Sequence, residues 1–324
     1  MQAVEALAQK GRLNFSQYMA FALYDEVYGF YNNTPYTEHF ITAPTRSNCF
    51  AYAVANWIMD QEIECVIEYG PGMGKLAHEV THFLKEQSYR LDSYTLVERS
   101  KRLREKIKAL YPNQFRFEKT EAAPGSAIIA NELFDALPVR RFKWDADKGV
   151  LEWFLDHEVV WLPAEVPKEL QLIVDKYSPS WPNGYLFEYC FGYQALFQDF
   201  LSCGADDVLL FDYGYAQEHF YHPARYEGNV KVYSKHQMVC FDYKHAGFVD
   251  LTLPVNWCQF KHCAHQSGYE VHQFGDMSDF LSEYHALDVI DYKDPVVTAK
   301  AKELLLPNMM GSAIQAIWLK RKNI

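Results

Sequence analysis

A chain of 324 residues is long enough for one large α/β domain, or for such a core with a sizeable addition. Apolar residues make up 49% and charged residues 23%, the balance of an ordinary globular chain rather than a disordered or low-complexity one. The formal net charge of −11 argues against wrapping a phosphate backbone, and no apolar stretch reaches membrane-spanning length, so neither nucleic acid nor a membrane is an expected partner.

The first twelve residues carry no apolar h-region and no Arg-rich presequence, which leads us to expect a cytoplasmic chain of bacterial type. Asn14 and Gln17 have the spacing of a capping box, and Phe15, Tyr18, Met19, Ala22 and Leu23 then share one helical face. An aromatic turn around Gly29 follows, readable either as packing on the core or as a lid. Residues 39–44 read as an extended loop and 45–60 as a helix with Phe50, Val54, Trp57 and Ile58 on one side.

The most informative stretch begins at Cys65. Cys65, Val66 and Ile67 have the composition of a buried strand. Glu68, Gly70, Gly72 and Gly74 then form E-x-G-x-G-x-G, and Leu76, Ala77, Val80, Phe83 and Leu84 recur at helical spacing. This predicts a strand, a tight glycine turn and a helix. Glycine permits positive φ and removes Cβ, so a ligand can lie against the backbone. Lys75 stands where a dinucleotide fingerprint needs glycine. Tyr69 and Leu76 likewise occupy positions where a P-loop needs Gly and Ser or Thr. The pattern fits the cofactor loop of class I S-adenosylmethionine (SAM) methyltransferases. Residues 93–97 read as the next strand, ending in Glu98, 24 residues after Gly74 (98 − 74), where a carboxylate suits a ribose diol.

The helix after the loop contains His78-Glu79-Val80-Thr81-His82, formally H-E-x-x-H. A zinc site there would leave the glycines unexplained, so we read the match as chance and expect no metal. His262 and His265 near Cys258 and Cys263 form only a loose cluster. The seven cysteines are scattered, odd in number and without C-x-x-C, as expected of reduced thiols.

Residues 99–110 predict a basic amphipathic helix and 127–130 a further strand. That strand leads into Asn131, Glu132 and Asp135. In open α/β sheets the carboxyl ends of strands face the ligand crevice. Asn131 and Glu132 are therefore site candidates. Asp135 reads equally as a site residue or as the cap of a following helix. Residues 143–174 read as a meander or helical insertion, 208–211 as a buried strand ending in Asp212-Tyr213-Gly214, 225–236 as a loose segment, and 312–319 as a closing edge strand.

Several of these strings together resemble the MidA-like methyltransferases, the former DUF185 family, which includes a mitochondrial complex I assembly factor that dimethylates an arginine. IIANELFDALPVRRF (residues 128–142) is similar to the family signature. So are the early FSQYMAFALYDEVYGFY (15–31), HFITAP (39–44), IEYGPGMGKLA (67–77), FDYG (211–214), VDLTLPVNW (249–257) and LPNMMG (306–311). The chain departs from the family at Glu38-His39-Phe40, Thr45-Arg46-Ser47, Phe50-Ala51-Tyr52, Gly228-Asn229-Val230 and Ile314-Gln315, so cofactor binding carries over better than substrate choice.

The resemblance implies methyl transfer from SAM on a class I Rossmann-like doubly wound α/β sheet. We expect an N-terminal helical extension over 1–60 and a methyltransferase domain over 61–324, with an insertion around 143–183. Glu68, Gly70, Gly72, Gly74, Glu98 and Asn131 are the expected cofactor residues. Glu132 and Asp135 are the candidate catalytic residues, with Asp212 and Glu188 behind them. The implied acceptor is a protein side chain, with arginine foremost. The oligomeric state stays open, a homodimer included. The competing readings are a non-catalytic assembly protein and a small-molecule methyltransferase.

Overall fold

The computed structural model describes residues 2–33, 42–117, 125–235, 237–307 and 309–322; residues 39–41 of the expected 39–44 loop lie outside them, and Ala43 and Pro44 are in a helical turn. The chain divides into two compact units. One takes residues 40–133, 196–214 and 261–324; the other takes 1–39, 134–195 and 215–260.

The first of these is built on a mixed sheet. Cys65–Tyr69 runs parallel to both Ser93–Val97 and Ser126–Asn131, and Ser126–Asn131 runs parallel to Asp207–Tyr215. Ile314–Arg321 and Tyr269–Asp276 complete the order on one side, antiparallel. The parallel strands are nearly continuous apolar runs because both of their faces are covered, the doubly wound arrangement.

One face is closed by the helix Asn48–Asp60, which lays Phe50 on Phe211 (ring centroids 4.8 Å) and Trp57 on Trp318 (5.8 Å). On the other face Phe200 packs on Tyr69 (4.8 Å) and Phe197 on Tyr269 (6.3 Å). The helix expected over 45–60 is interrupted: Ala43–Arg46 forms one turn, then Ser47 goes extended (φ −151°, ψ 144°) and caps Asn48–Asp60. This helix belongs to the core of the sheet unit, not to an N-terminal extension. The strand expected to close the sheet is Ile314–Arg321, and it is interior rather than an edge. It lies between Asp207–Tyr215 and Tyr269–Asp276, with Ile314, Ile317 and Leu319 at 0% exposure. Tyr269–Asp276 is the edge, with Glu270 and His272 exposed among Val271 and Phe274 and a bulge between Val271 and Gln273, a device that discourages further pairing.

The other unit contains an antiparallel sheet of Leu13–Asn14, Gly149–Asp156, Arg140–Asp145, Leu186–Tyr189 and Glu158–Pro163. The expected meander thus starts at Arg140, and the helix Lys168–Tyr177 follows it. The segment read as loose contains Lys231–Ser234, the middle of a small sheet with Gln237–Met238 and Asp250–Thr252. Asn14 and Gln17 form the expected capping box of Phe15–Tyr24. Phe15, Tyr18, Trp153 and Phe241 pack ring on ring. Over Phe15 and Phe241 lies the Arg141 guanidinium, paired to the fully buried Glu188 at 3.2 Å. Glu188 also accepts the Asn229 N–H at 2.8 Å. It is therefore consumed by structure, and its candidacy as an acid ends here.

Gly247 fixes the Gly29 turn. Its φ is +80°, and a Cβ there would stand 2.0 Å from the Tyr28 carbonyl oxygen. Left-handed φ alone costs a non-glycine residue about 1–3 kcal/mol. Gly247→Ala is expected to lower stability by about 3 kcal/mol, read as a drop in the urea midpoint at unchanged slope; a midpoint equal to the parent protein's would show that the turn relaxes freely.

Candidate functional site

Parallel register brings the sequence-predicted residues of the sheet unit to one rim. Tyr69 is aligned with Val97 and Ala130, and Asn131 with Phe211. One step further along each strand stand Gly70, Glu98 and Asp212, beside Asn131. That is the carboxyl end of the sheet, where crevices of open α/β folds bind ligands.

Gly70, Gly72 and Gly74 all adopt positive φ (65°, 56° and 73°), the turn that links Cys65–Tyr69 to the helix Lys75–Glu86. The absent side chains of two of them are needed by the protein itself. A Cβ on Gly70 would meet Leu133 Cδ1 at 3.1 Å, and one on Gly74 would meet Ile107 Cγ2 at 3.1 Å. At these two positions packing within the chain demands glycine as well, beside any room that the turn leaves for a ligand. Gly72 turns its N–H toward the carboxylate of Glu98.

Glu98 is oriented before any ligand arrives. Its Oε1 accepts the Ser100 N–H at 2.7 Å, and Arg99 and Gly72 supply further N–H groups. Burial raises its pKa to about 7 against the pull of these donors and of the Arg104 charge. Glu68 is buried at 3% exposure, and its Oε2 accepts the Tyr94 hydroxyl at 2.8 Å from the neighbouring strand. Burial raises Glu68 to about 8; the Tyr94 hydrogen bond opposes this and the Glu98 charge adds to it. Nothing local in the sequence marks Tyr94 as its partner; Tyr94 stands two residues before Leu96, with which Glu68 is aligned, so the two side chains share a face.

Asn131 and Glu132 lie in a turn strapped by the strand Asp207–Tyr215. The Glu132 N–H donates to Phe211 O (2.8 Å), the Leu133 N–H to Asp212 Oδ2 (3.2 Å), and the Tyr213 hydroxyl to Glu132 Oε2. Asn131 Nδ2 donates to Glu132 Oε1 at 3.1 Å. Its Oδ1 is buried with no hydrogen-bond partner among the described residues. Glu132 itself has φ +52°, a strained conformation for a residue with a side chain. Asp212 was a secondary candidate acid in the sequence, whereas Tyr213 was visible only as part of an Asp-Tyr-Gly string.

Asp135 belongs to the other unit. No helix follows it, so the expected cap is absent; it stands in a turn. Its Oδ2 accepts the Thr252 hydroxyl at 2.8 Å, and its carbonyl accepts the Leu253 N–H at 2.8 Å. Burial pushes it up to about 6, opposed first by the Thr252 hydrogen bond.

The two histidines of the formal H-E-x-x-H have separate neighbours. His78 stacks on Tyr111 (4.4 Å) and meets Gln114, while His82 pairs with Glu86 at 3.3 Å. No group of three or more His, Cys, Asp or Glu suited to a metal occurs among the described residues.

A left-handed glycine turn, a carboxylate pre-set by backbone N–H groups and an orphaned amide oxygen fit a ligand bearing a diol and N–H donors. A family model for S-adenosyl-L-methionine-dependent methyltransferases matches residues 50–275. No curated protein matches the chain. Among solved structures, a COG1565 superfamily member from Burkholderia thailandensis bound to S-adenosyl-homocysteine is similar at a TM-score of 0.85. Identity is 23%, covering 99% of this chain and 93% of that one. A native COG1565 superfamily structure from the same organism gives 0.84, again at 23% identity, over 99% and 92%.

Glu68 and Glu98 titrate with a definite sign. Both hold protons to higher pH in the folded chain than their ordinary 4.5. The folded state therefore binds more protons between about 4.5 and about 8, and stability falls as pH rises through that window. Urea midpoints are expected to fall from pH 5 to pH 8, and Glu68→Gln, which keeps the shape of the neutral acid, is expected to flatten the fall. An equally steep fall in that variant would assign the slope to other groups.

Proposed function

The chain belongs to the MidA-like family of SAM-dependent methyltransferases, and we propose that its acceptor is a nitrogen of a protein side chain, arginine foremost. The observation that carries this reading is the Glu132 carboxylate. It is held by two donors at the strand end beside the glycine turn, and a carboxylate so held accepts N–H groups and attracts a cation. The family resemblance in the Asn-Glu-Leu-Phe-Asp-Ala-Leu-Pro string and the net charge of −11 support a basic protein acceptor.

The cofactor, when bound, supplies an electrophilic methyl group on a sulfonium. In our reading the backbone at Gly70, Gly72 and Gly74 admits it closely, and Glu98 accepts hydrogen bonds from its ribose hydroxyls. Asn131 Oδ1 accepts an N–H, and Glu68 remains a buried support of that rim. Glu132 orients the acceptor nitrogen and draws off the proton released as the N–C bond forms. Asp135 is taken up by buried partners within its own unit, the Thr252 hydroxyl and the Leu253 N–H. All seven cysteines are free thiols, which supports a reducing, cytoplasmic setting; no described helix is long and apolar enough to cross a membrane.

Two measurements test this. Calorimetry with SAM is expected to show weaker binding in Gly72→Val, where a branched side chain enters at positive φ. Glu98→Ala is expected to lose on the order of 1–3 kcal/mol through unpaired hydroxyls. Parent-like affinity in both folded variants would remove this rim as the cofactor site. Incubation with methyl-labelled SAM and cell lysate is expected to label a protein band. Glu132→Gln is expected to slow that labelling while SAM affinity stays within about 3-fold, under half a decade of affinity. Label entering small solutes instead would favour a small-molecule acceptor.

A further inference from the structure

We propose that Tyr213 is a positioning residue for methyl transfer, acting through Glu132; this rests on the reading of Glu132 given above. The turn at 131–133 is held from three successive residues of one strand: the Phe211 carbonyl, the Asp212 carboxylate and the Tyr213 hydroxyl. The first two fix the backbone. Asp212, at 1% exposure, spends its oxygens on the N–H groups of Leu133 (3.2 Å) and Tyr213 (2.9 Å). Only the third reaches the functional group. Tyr213 stands two residues beyond Phe211, so its side chain leaves the sheet on the same face as Phe211, whose carbonyl holds Glu132.

The carboxylate is thereby fixed in its own plane. Tyr213 donates to one oxygen and the Asn131 amide to the other, and donors on both oxygens leave neither torsion nor tilt free. A merely structural carboxylate would be buried and repaid by packing. Glu132 is half-buried, and its backbone sits at φ +52°. Such a conformation persists only where the surroundings over-determine it, which is the pattern of sites that must present a group in advance. The group so presented takes a cationic or N–H-bearing nitrogen, either the cofactor's ammonium or the acceptor's.

The test is a double-mutant cycle between Tyr213→Phe and Glu132→Gln, read on lysate-protein labelling at saturating SAM, on the apparent KM for SAM, and on calorimetric SAM affinity. Tyr213→Phe keeps the ring and is expected to melt near the parent temperature while lowering the limiting rate about 10-fold. In the Glu132→Gln background the same change is expected to cost less than about 2-fold, because its partner is gone. A fall in rate at unchanged SAM affinity assigns the nitrogen to the acceptor; weaker SAM binding in both single variants assigns it to the cofactor. Tyr213→Met, which also lacks the hydroxyl, serves the same cycle should Tyr213→Phe not fold. Additive effects, or a Tyr213→Phe rate equal to the parent's while Glu132→Gln is impaired, overturn the proposal and leave the acceptor reading standing. A Glu132→Gln variant equal to the parent in rate and affinity overturns both.

Discussion

Everything at the site depends on strands that pair in parallel without a register shift. Cys65–Tyr69 is aligned residue for residue with Ser93–Val97 on one side and Ser126–Asn131 on the other. In a parallel sheet all such strands end on the same rim, so residues far apart in sequence become neighbours there. A slip of one residue would turn Val66, Ile129 and Leu209 away from the Asn48–Asp60 helix and move their neighbours into it. The burial of that face therefore holds the rim chemistry in place: Phe50 on Phe211 and Trp57 on Trp318 fix the strands whose next residues are Asp212 and its companions.

On the rim the two buried carboxylates are matched by donors from the chain itself, while the Asn131 Oδ1 is left without one among the described residues. Glu98 is spanned by N–H groups from the glycine turn and from the start of the Lys101–Leu110 helix, whose cap is Ser100. Glu68 lies beneath it, turned to Tyr94 and raised to about 8, so near neutrality the pair carries mainly one charge rather than two. Two full charges in so buried a place would repel strongly, and a shared titration avoids this.

What the sequence disclosed follows from how local each signal was. The glycine spacing, the acid 24 residues on and the Asn14–Gln17 box are set by contacts within a few residues or by one βα repeat, and all three stand where they were expected. Misreadings arose where tertiary partners decide. Residues 312–319 looked like an edge because Ile314, Ala316 and Trp318 alternate with other residues, but pairing on both sides makes the strand interior. Asp135 read equally as a site residue or a helix cap, and the cap half fails because nothing local reveals Thr252, 117 residues away. Tyr213 and Tyr94 were hidden for the same reason: a tyrosine's worth to a carboxylate is invisible until the sheet aligns them.

The sheet unit is assembled from three separate stretches of chain, with 134–195 and 215–260 given to the other unit. During synthesis the strand Ser126–Asn131 emerges 76 residues before its partner Asp207–Tyr215 (207 − 131). Until then one side of a strand whose middle is the apolar run 127–130 has no ladder partner, and the turn that bears Glu132 lacks its strap. Long-range pairing of this kind is slow, and an unpaired strand edge is prone to the wrong neighbour. The nascent chain thus passes through a stage in which its glycine-turn half-sheet can form and the rim at 131–133 is not yet strapped. A chain cut short before residue 207 would carry the glycine turn without the strand that holds Glu132.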